Sequence, residues 1–215
     1  MYPGQRLSRM DVEMRKGLTV HSAPPDNVVH MAGFADFRPG AEHRPAQVAV
    51  RPAALGDVDA MQEIQRRAGR PAHPDAYRRA VENPDCCVLV AECSSQAGDP
   101  ITVGGAQTYL HAAVVDAAPT GHYLGGVTVD PSWRRRGIAL ALTEVRVQWI
   151  ADRADEVFYV VNPRNLASIE LHRRWSYEEV MRSSHLTGVE FSGGVGILMH
   201  AALAERAASD DAVLR

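Results

Sequence analysis

The stretch VTVDPSWRRRGIALAL, from Val127 to Leu142, constrains this chain more than any other. Alternating Val and Thr read as the end of a strand, and Ile138, Leu142, Val145 and Trp149 then recur at helical spacing. Three arginines and a glycine stand at the junction. The first N–H groups of a helix lack intrahelical partners and carry partial positive charge, so such a junction attracts an anion. Gly137 lets the backbone approach that anion with no Cβ in the way, and Arg134, Arg135 and Arg136 can add charge-assisted hydrogen bonds. RRRG alone would read as a solvated basic turn. No GxGxxG opens a helix and no GxxxxGK[ST] occurs, so the usual dinucleotide and nucleoside-triphosphate cradles are excluded.

Around this junction the pattern switches repeatedly between periods. QVAVRPA alternates like a strand, and Val58, Met61, Ile64 and Ala68 then share a helical face, with Asp57 placed to cap it. HPDAYRRAVENP reads as a short helix entered through Pro74 and stopped by Pro84. CCVLVAE and ITVGGAQTYLH form a hairpin pattern, and HYLGGVTV is the strand that leads into the arginines. EVFYVV, NLASIELHRRW, YEEVMRSSHLT and GVGILMHAAL continue as strand, helix, strand and strand. The order β-α-α-β-β-β-α-β-α-β-β predicts an α/β fold with a mixed sheet. The unit from Tyr123 to Val161 should be a right-handed parallel crossover.

Residues 1–46, rich in Pro, Gly and His, read as an N-terminal extension to a domain over 47–203, with 204–215 a tail. Three readings of the extension stay open: a flexible segment, an arm across a neighbouring subunit, or a start at Met10, Met14 or Met31. A formal charge of −3 in 215 residues argues against a dedicated nucleic-acid binder. The N-terminus lacks the apolar core of a signal peptide, and no run approaches the roughly 18 apolar residues of a membrane span. Cys86, Cys87 and Cys93 have no metal-ligand spacing, so buried or free thiols, no metal and a reducing cytoplasm are expected.

VTVDPSWRRRGIA resembles the acetyl-CoA signature of the GNAT superfamily of N-acetyltransferases, V-x-P followed by [RQ]-x-x-G-x-[GA] opening a helix. Arg134, Gly137 and Ala139 fall on its three positions. NLASIELHRRWSY resembles the family's second pattern, N-x-x-[AS]-x-x-L-Y-x-x-x-G-F, at Asn165, Ser168 and Leu171. The resemblance implies a mostly antiparallel sheet with one splayed parallel strand pair and flanking helices. It also implies the anion: the coenzyme A pyrophosphate, held by Arg134, Arg135, Arg136, Gly137, Ile138 and Ala139. The pantetheine arm would pair with backbone groups of Val127 and Val129, with Asn165 and Ser168 beside it. Gly125 and Gly126 suit the bulge that splays the strand.

Two departures from the family pattern bear on catalysis. His172 stands where the family has the Tyr that protonates the departing thiolate, and Ser176-Tyr177 replaces Gly-Phe. Imidazolium is a competent acid near neutral pH, so His172 is the candidate acid, against a packing role. Leu124 stands where some members carry a basic Glu; His122, two residues earlier on the same face, is the candidate base, against a structural role. The leading expectation is acetyl transfer from acetyl-CoA to a primary amine of a small molecule, by direct attack in a ternary complex. Backbone N–H near Val127 would hold the oxyanion. The alternatives are a protein N-acetyltransferase and a CoA-binding regulator without turnover. No nucleic acid or membrane partner is expected, and a homodimer is left open.

Overall fold

The structure, a computed structural model, describes residues 34–35, 46–95 and 98–203. The expected extension lies outside the described residues except for positions 34, 35 and 46, as does the whole 204–215 tail.

The chain runs β1 (Ala49–Pro52), α1 (Val58–Arg67), α2 (Pro74–Glu82), β2 (Val88–Ser94), β3 (Pro100–His111) and β4 (Gly121–Val129). It continues α3 (Ile138–Ala151), β5 (Glu156–Val161), α4 (Leu166–His172), β6 (Glu178–Ser183), β7 (His185–Leu186), β8 (Val189–Glu190) and β9 (Gly196–Ala202). The expected element order is present, and β7–β8 adds a small separate hairpin. The seven-stranded sheet has the order β1-β2-β3-β4-β5-β9-β6. Its pairs are antiparallel except β4–β5, which is parallel and registers only at Tyr123 opposite Phe158. Beyond that point the two strands are splayed.

Each face of the sheet carries a helix layer. Val88 and Val90 pack with Val58, Met61 and Tyr77 of α1 and α2, whereas Leu89 and Ala91 pack with Ile138 and Leu142 of α3. This explains the uninterrupted apolar run VLVA, since a strand covered on both faces has no polar side. Gly104 and Gly105 mark the two close approaches. A Cβ on Gly104 would lie 3.2 Å from the Ile138 side chain, and one on Gly105 2.9 Å from Met61. The α1 stripe of Val58, Met61, Ile64 and Ala68 is buried as expected.

Two local expectations are corrected. Asp57 does not cap α1 with its side chain; its carboxylate accepts from the Ala54 N–H and pairs with Arg51, forming the preceding turn instead. On α3 the buried stripe is Ile138, Leu142, Arg146 and Ile150, while Val145 is 40% exposed. Arg146 fits in this stripe because its guanidinium finds acceptors inside the fold.

Candidate active site

The junction between β4 and α3 has the form of an anion cradle. Asp130 starts it, accepting hydrogen bonds from the Ser132 N–H (2.9 Å) and hydroxyl (2.6 Å) and pairing with Arg67. Burial raises the Asp130 pKa, but the Ser132 and Arg67 bonds outweigh it and hold the carboxyl below its ordinary value. The chain then turns left-handed at Arg135 (φ 66°) and again at Gly137 (φ 84°), with Arg136 between them at negative φ. Alternation of hand along consecutive residues turns their N–H groups toward one concavity, the backbone nest that binds anions. Gly137 caps α3, and a Cβ there would meet nothing within 4 Å.

The signature residues divide by role. The Ile138 side chain is buried in the core, so only its backbone faces the cradle. The Arg136 guanidinium lies 4.7 Å from the Trp133 ring centroid, and the Arg136 carbonyl accepts from the Ala46 N–H (3.2 Å). Ala139 gives its carbonyl to the Thr143 hydroxyl (2.8 Å).

The cradle opens onto the splay. Between Ala106–Val127 and Thr108–Leu124 the β3–β4 register slips, leaving Gly125 and Gly126 opposite Gln107. This is the bulge expected at the two glycines. The Asp130 N–H donates to the Val103 carbonyl (2.9 Å), which sets the alternation along β4. Polar backbone groups of 128 and 130 face β3, and those of Val127 and Val129 face the gap toward β5. Behind the bulge, Arg146 is fully buried and donates to the carbonyls of Gly125 (2.8 Å), Gln107 (3.1 Å) and Leu142 (3.3 Å), and to Thr143 Oγ1 (2.9 Å). Burial lowers its pKa to about 10, so it remains a cation at neutral pH.

On the far side of the gap, Asn165 caps α4, its side-chain oxygen accepting from the Ser168 N–H (3.2 Å). That leaves its amide nitrogen free for a further bond in the cap geometry. Asn162, buried at the end of β5, fixes the turn by donating to the Ser192 carbonyl and accepting from the Arg164 N–H.

Both histidines pack against aromatic rings. His172 is buried, stacked at 4.3 Å on Tyr159, with Nδ1 2.7 Å from the Ser168 carbonyl. That carbonyl only accepts, so Nδ1 carries the proton and the buried Nε2, which has no partner among the described residues, is bare in the neutral ring. Burial lowers the pKa to about 4, against the Ser168 bond and with the Arg146 charge. A neutral ring with its one proton committed to Ser168 counts against a general acid at pH 7. His122 faces α3, edge-on to Trp149 at 5.6 Å, and burial and Arg153 hold its pKa below the ordinary value. At about 3.3 Å per residue it lies roughly 15 Å from Val127, at the closed end of the splay, beyond direct reach of the gap.

Arg70, Gln65 and Thr128 were missed by the sequence reading. Arg70 Nη1 donates to the Val127 carbonyl (3.2 Å) and Thr128 Oγ1 (3.0 Å), and Thr128 donates to Gln65 (3.1 Å). Nothing local in RRAGR marks Arg70, because its partners lie 57 and 58 residues away. Arg146 did leave a signal, at four residues from both Leu142 and Ile150.

A mixed sheet splayed at one parallel pair, with an anion nest at the mouth of the splay, defines an acyl-CoA-dependent acyltransferase fold. The family model of the GNAT acetyltransferases matches residues 58–177, more than half of the chain, and the protein belongs to that family. It is an acyltransferase. No curated protein sequence matches it significantly. Solved structures similar to it include the ribosomal-protein-S18-alanine N-acetyltransferase of Escherichia coli, at 17% identity and TM-score 0.57, covering 73% of this chain and 94% of that one. The phosphinothricin acetyltransferase of Sinorhizobium meliloti, solved with acetyl-CoA, is 19% identical with TM-score 0.55, over 73% and 88%. The yncA protein of Salmonella typhimurium, also solved with acetyl-CoA, is 19% identical with TM-score 0.57, over 73% and 94%. Among the described residues no group of three or more metal-binding side chains occurs, and no helix is long and apolar enough to cross a membrane.

Proposed function

We propose that the protein transfers an acetyl group from acetyl-CoA to a primary amine of a small molecule, by direct attack. The observation that carries this reading is the continuity of the Arg135–Gly137 nest with the β4–β5 gap. The nest fits a pyrophosphate, because Gly137 leaves the space above it open and the first N–H groups of α3 are directed there. Arg134, Arg135 and Arg136 add charge, Val127 and Val129 offer backbone groups to the pantetheine arm, and Asn165 and Ser168 line the opposite edge.

Acetyl-CoA supplies the activated acetyl group as a thioester. The Val127 N–H then serves as the donor to the thioester oxygen as negative charge develops there. No thiol is set up as a nucleophile, since Cys87 and Cys93 are buried and burial raises the pKa of all three cysteines. Direct attack by the amine therefore remains. With His172 neutral and His122 distant from Val127, the amine arrives uncharged; as its nitrogen bonds to the carbonyl carbon and the C–S bond breaks, its surplus proton passes through water to the departing CoA thiolate. The chain contributes position and an oxyanion donor.

A small acceptor suits the α1 face of the gap, where Gln65, Tyr77 and Thr128 are buried and bonded to one another. Thiol release from acetyl-CoA, followed with a panel of small primary amines and with peptides bearing free N-termini, tests the reading. Turnover with small amines is expected. Turnover with peptides alone, or thiol release that no amine accelerates, would overturn it.

A further inference from the structure

The gap between β4 and β5 opens to two faces of the sheet. The nest and α3 occupy one, so an acceptor has to enter from the other, the α1 face. Thr128 lies opposite Gly105, whose Cβ position points at Met61 of α1, so the Thr128 side chain is on that face. Arg70, just past α1, reaches the same place, with Nη1 on Thr128 and on the Val127 carbonyl. The guanidinium thus stands one peptide from the N–H assigned to the thioester oxygen.

Every side-chain hydrogen bond of Arg70 to a described residue is made through Nη1, leaving Nη2 and Nε, two edges of a planar fork, for another partner. The nearby charge acting on it is that of Arg134, and no carboxylate among the described residues pairs with it. Burial pulls its pKa below the ordinary value, as an uncompensated cation requires. Its surroundings are built rather than loose. The Thr128 hydroxyl donates to Gln65 Oε1, and Gln65 Nε2 donates to Tyr77 (2.7 Å), so the Thr128 oxygen is oriented to accept from Arg70.

We propose that Arg70 is a specificity residue that binds a carboxylate of the acceptor, so that the acceptor class is amines bearing a carboxylate near the nitrogen, as in amino acids. A half-buried cation beside the reaction centre repels polyamines and attracts such an anion, and the fork fits a carboxylate bidentately. This rests on the assignment of the gap to acetyl-CoA and of a small amine to its α1 face.

The test uses binding, so it needs no turnover. Two probes carry CoA joined through an S-acetyl bridge to an amine nitrogen, one ending in glycine and the other in methylamine; β-alanine and γ-aminobutyrate versions vary the reach. In the wild-type protein the best carboxylate probe should bind at least about tenfold tighter than the methylamine probe. Arg70→Gln keeps a donor for the Val127 carbonyl but should bring that ratio below about threefold, and Arg70→Lys should fall between. Equal affinities in the wild type, or a ratio that survives Arg70→Gln, would overturn this proposal alone. A fall in affinity for CoA itself with the ratio unchanged would place Arg70 on the CoA track and overturn it too. If no probe exceeds CoA, the small-acceptor reading fails and this proposal with it.

Discussion

The Arg146 guanidinium donates to the Gly125 carbonyl across 2.8 Å and so ties the middle of α3 to the bulge that opens the β4 strand. A second bond, to Gln107 across the same bulge, makes the tie two-sided. A cation with no exposed surface and no carboxylate partner among the described residues is costly, and its return here is the shape of the gap's edge. Arg146→Met removes the charge but leaves the half-buried carbonyls of Gln107 and Gly125 without this donor, at about 1 kcal/mol each. Thermal stability and acetyl-CoA affinity should both rank wild type, then Arg146→Lys, then Arg146→Met. A Met variant with full stability and full affinity would show that the bulge holds itself.

The two bulge glycines should respond in opposite ways to alanine. A Cβ on Gly125 would lie 2.9 Å from the Gln107 carbonyl oxygen, a backbone atom, whereas one on Gly126 meets nothing within 4 Å. Gly125→Ala should cost about 1–3 kcal/mol and Gly126→Ala close to nothing, by denaturant titration. Similar losses at both sites would contradict the register slip.

Ser176 holds a left-handed conformation (φ 53°) at the turn after α4, where the family pattern has glycine. An L-residue in that region costs roughly 1–2 kcal/mol. Ser176→Gly should therefore raise stability by about 1 kcal/mol, less the entropy that glycine adds to the unfolded chain. A destabilised variant would mean that the serine side chain contributes more than the strain removes.

His172 makes stability depend on pH with a definite sign. Its folded pKa of about 4 lies below the ordinary 6.5, so the unfolded chain binds the extra proton between those values. Its contribution is fully present above pH 6.5 and is lost as pH falls through 4. His122 and His111 are shifted the same way and add to the slope. His172→Phe should flatten the fall of the melting midpoint between pH 7 and 4. Its kcat at pH 7 should stay within about tenfold of wild type, where loss of a general acid would cost 10²-fold or more. The larger loss would restore the acid role first expected of this histidine.

Much of the site's frame could be read from the chain because its signals are local. Strand, RRRG and helix are contiguous, the α1 stripe has a clean helical period, and the glycine pair marks its own bulge. The misses share a different cause. Arg146 was left out of the α3 stripe because its carbonyl acceptors, at Gln107 and Gly125, come from distant strands. Arg70 depends in the same way on β4. The burial of His172 comes largely from Tyr159 on β5, which no spacing rule connects to it. The β7–β8 hairpin has two residues per strand, too few to show a period.

The central claim is that the nest at the start of α3 holds the acetyl-CoA pyrophosphate, and calorimetric titration with acetyl-CoA tests it most directly. Any side chain at Gly137 strains the backbone at φ 84°, so Gly137→Asn serves as the matched control for Gly137→Asp. The two should melt at similar temperatures. The aspartate should bind acetyl-CoA at least about tenfold more weakly than the asparagine, a difference of about 1.4 kcal/mol. Equal affinities in the two folded variants would contradict the assignment, because a charge placed in the nest would then meet no phosphate.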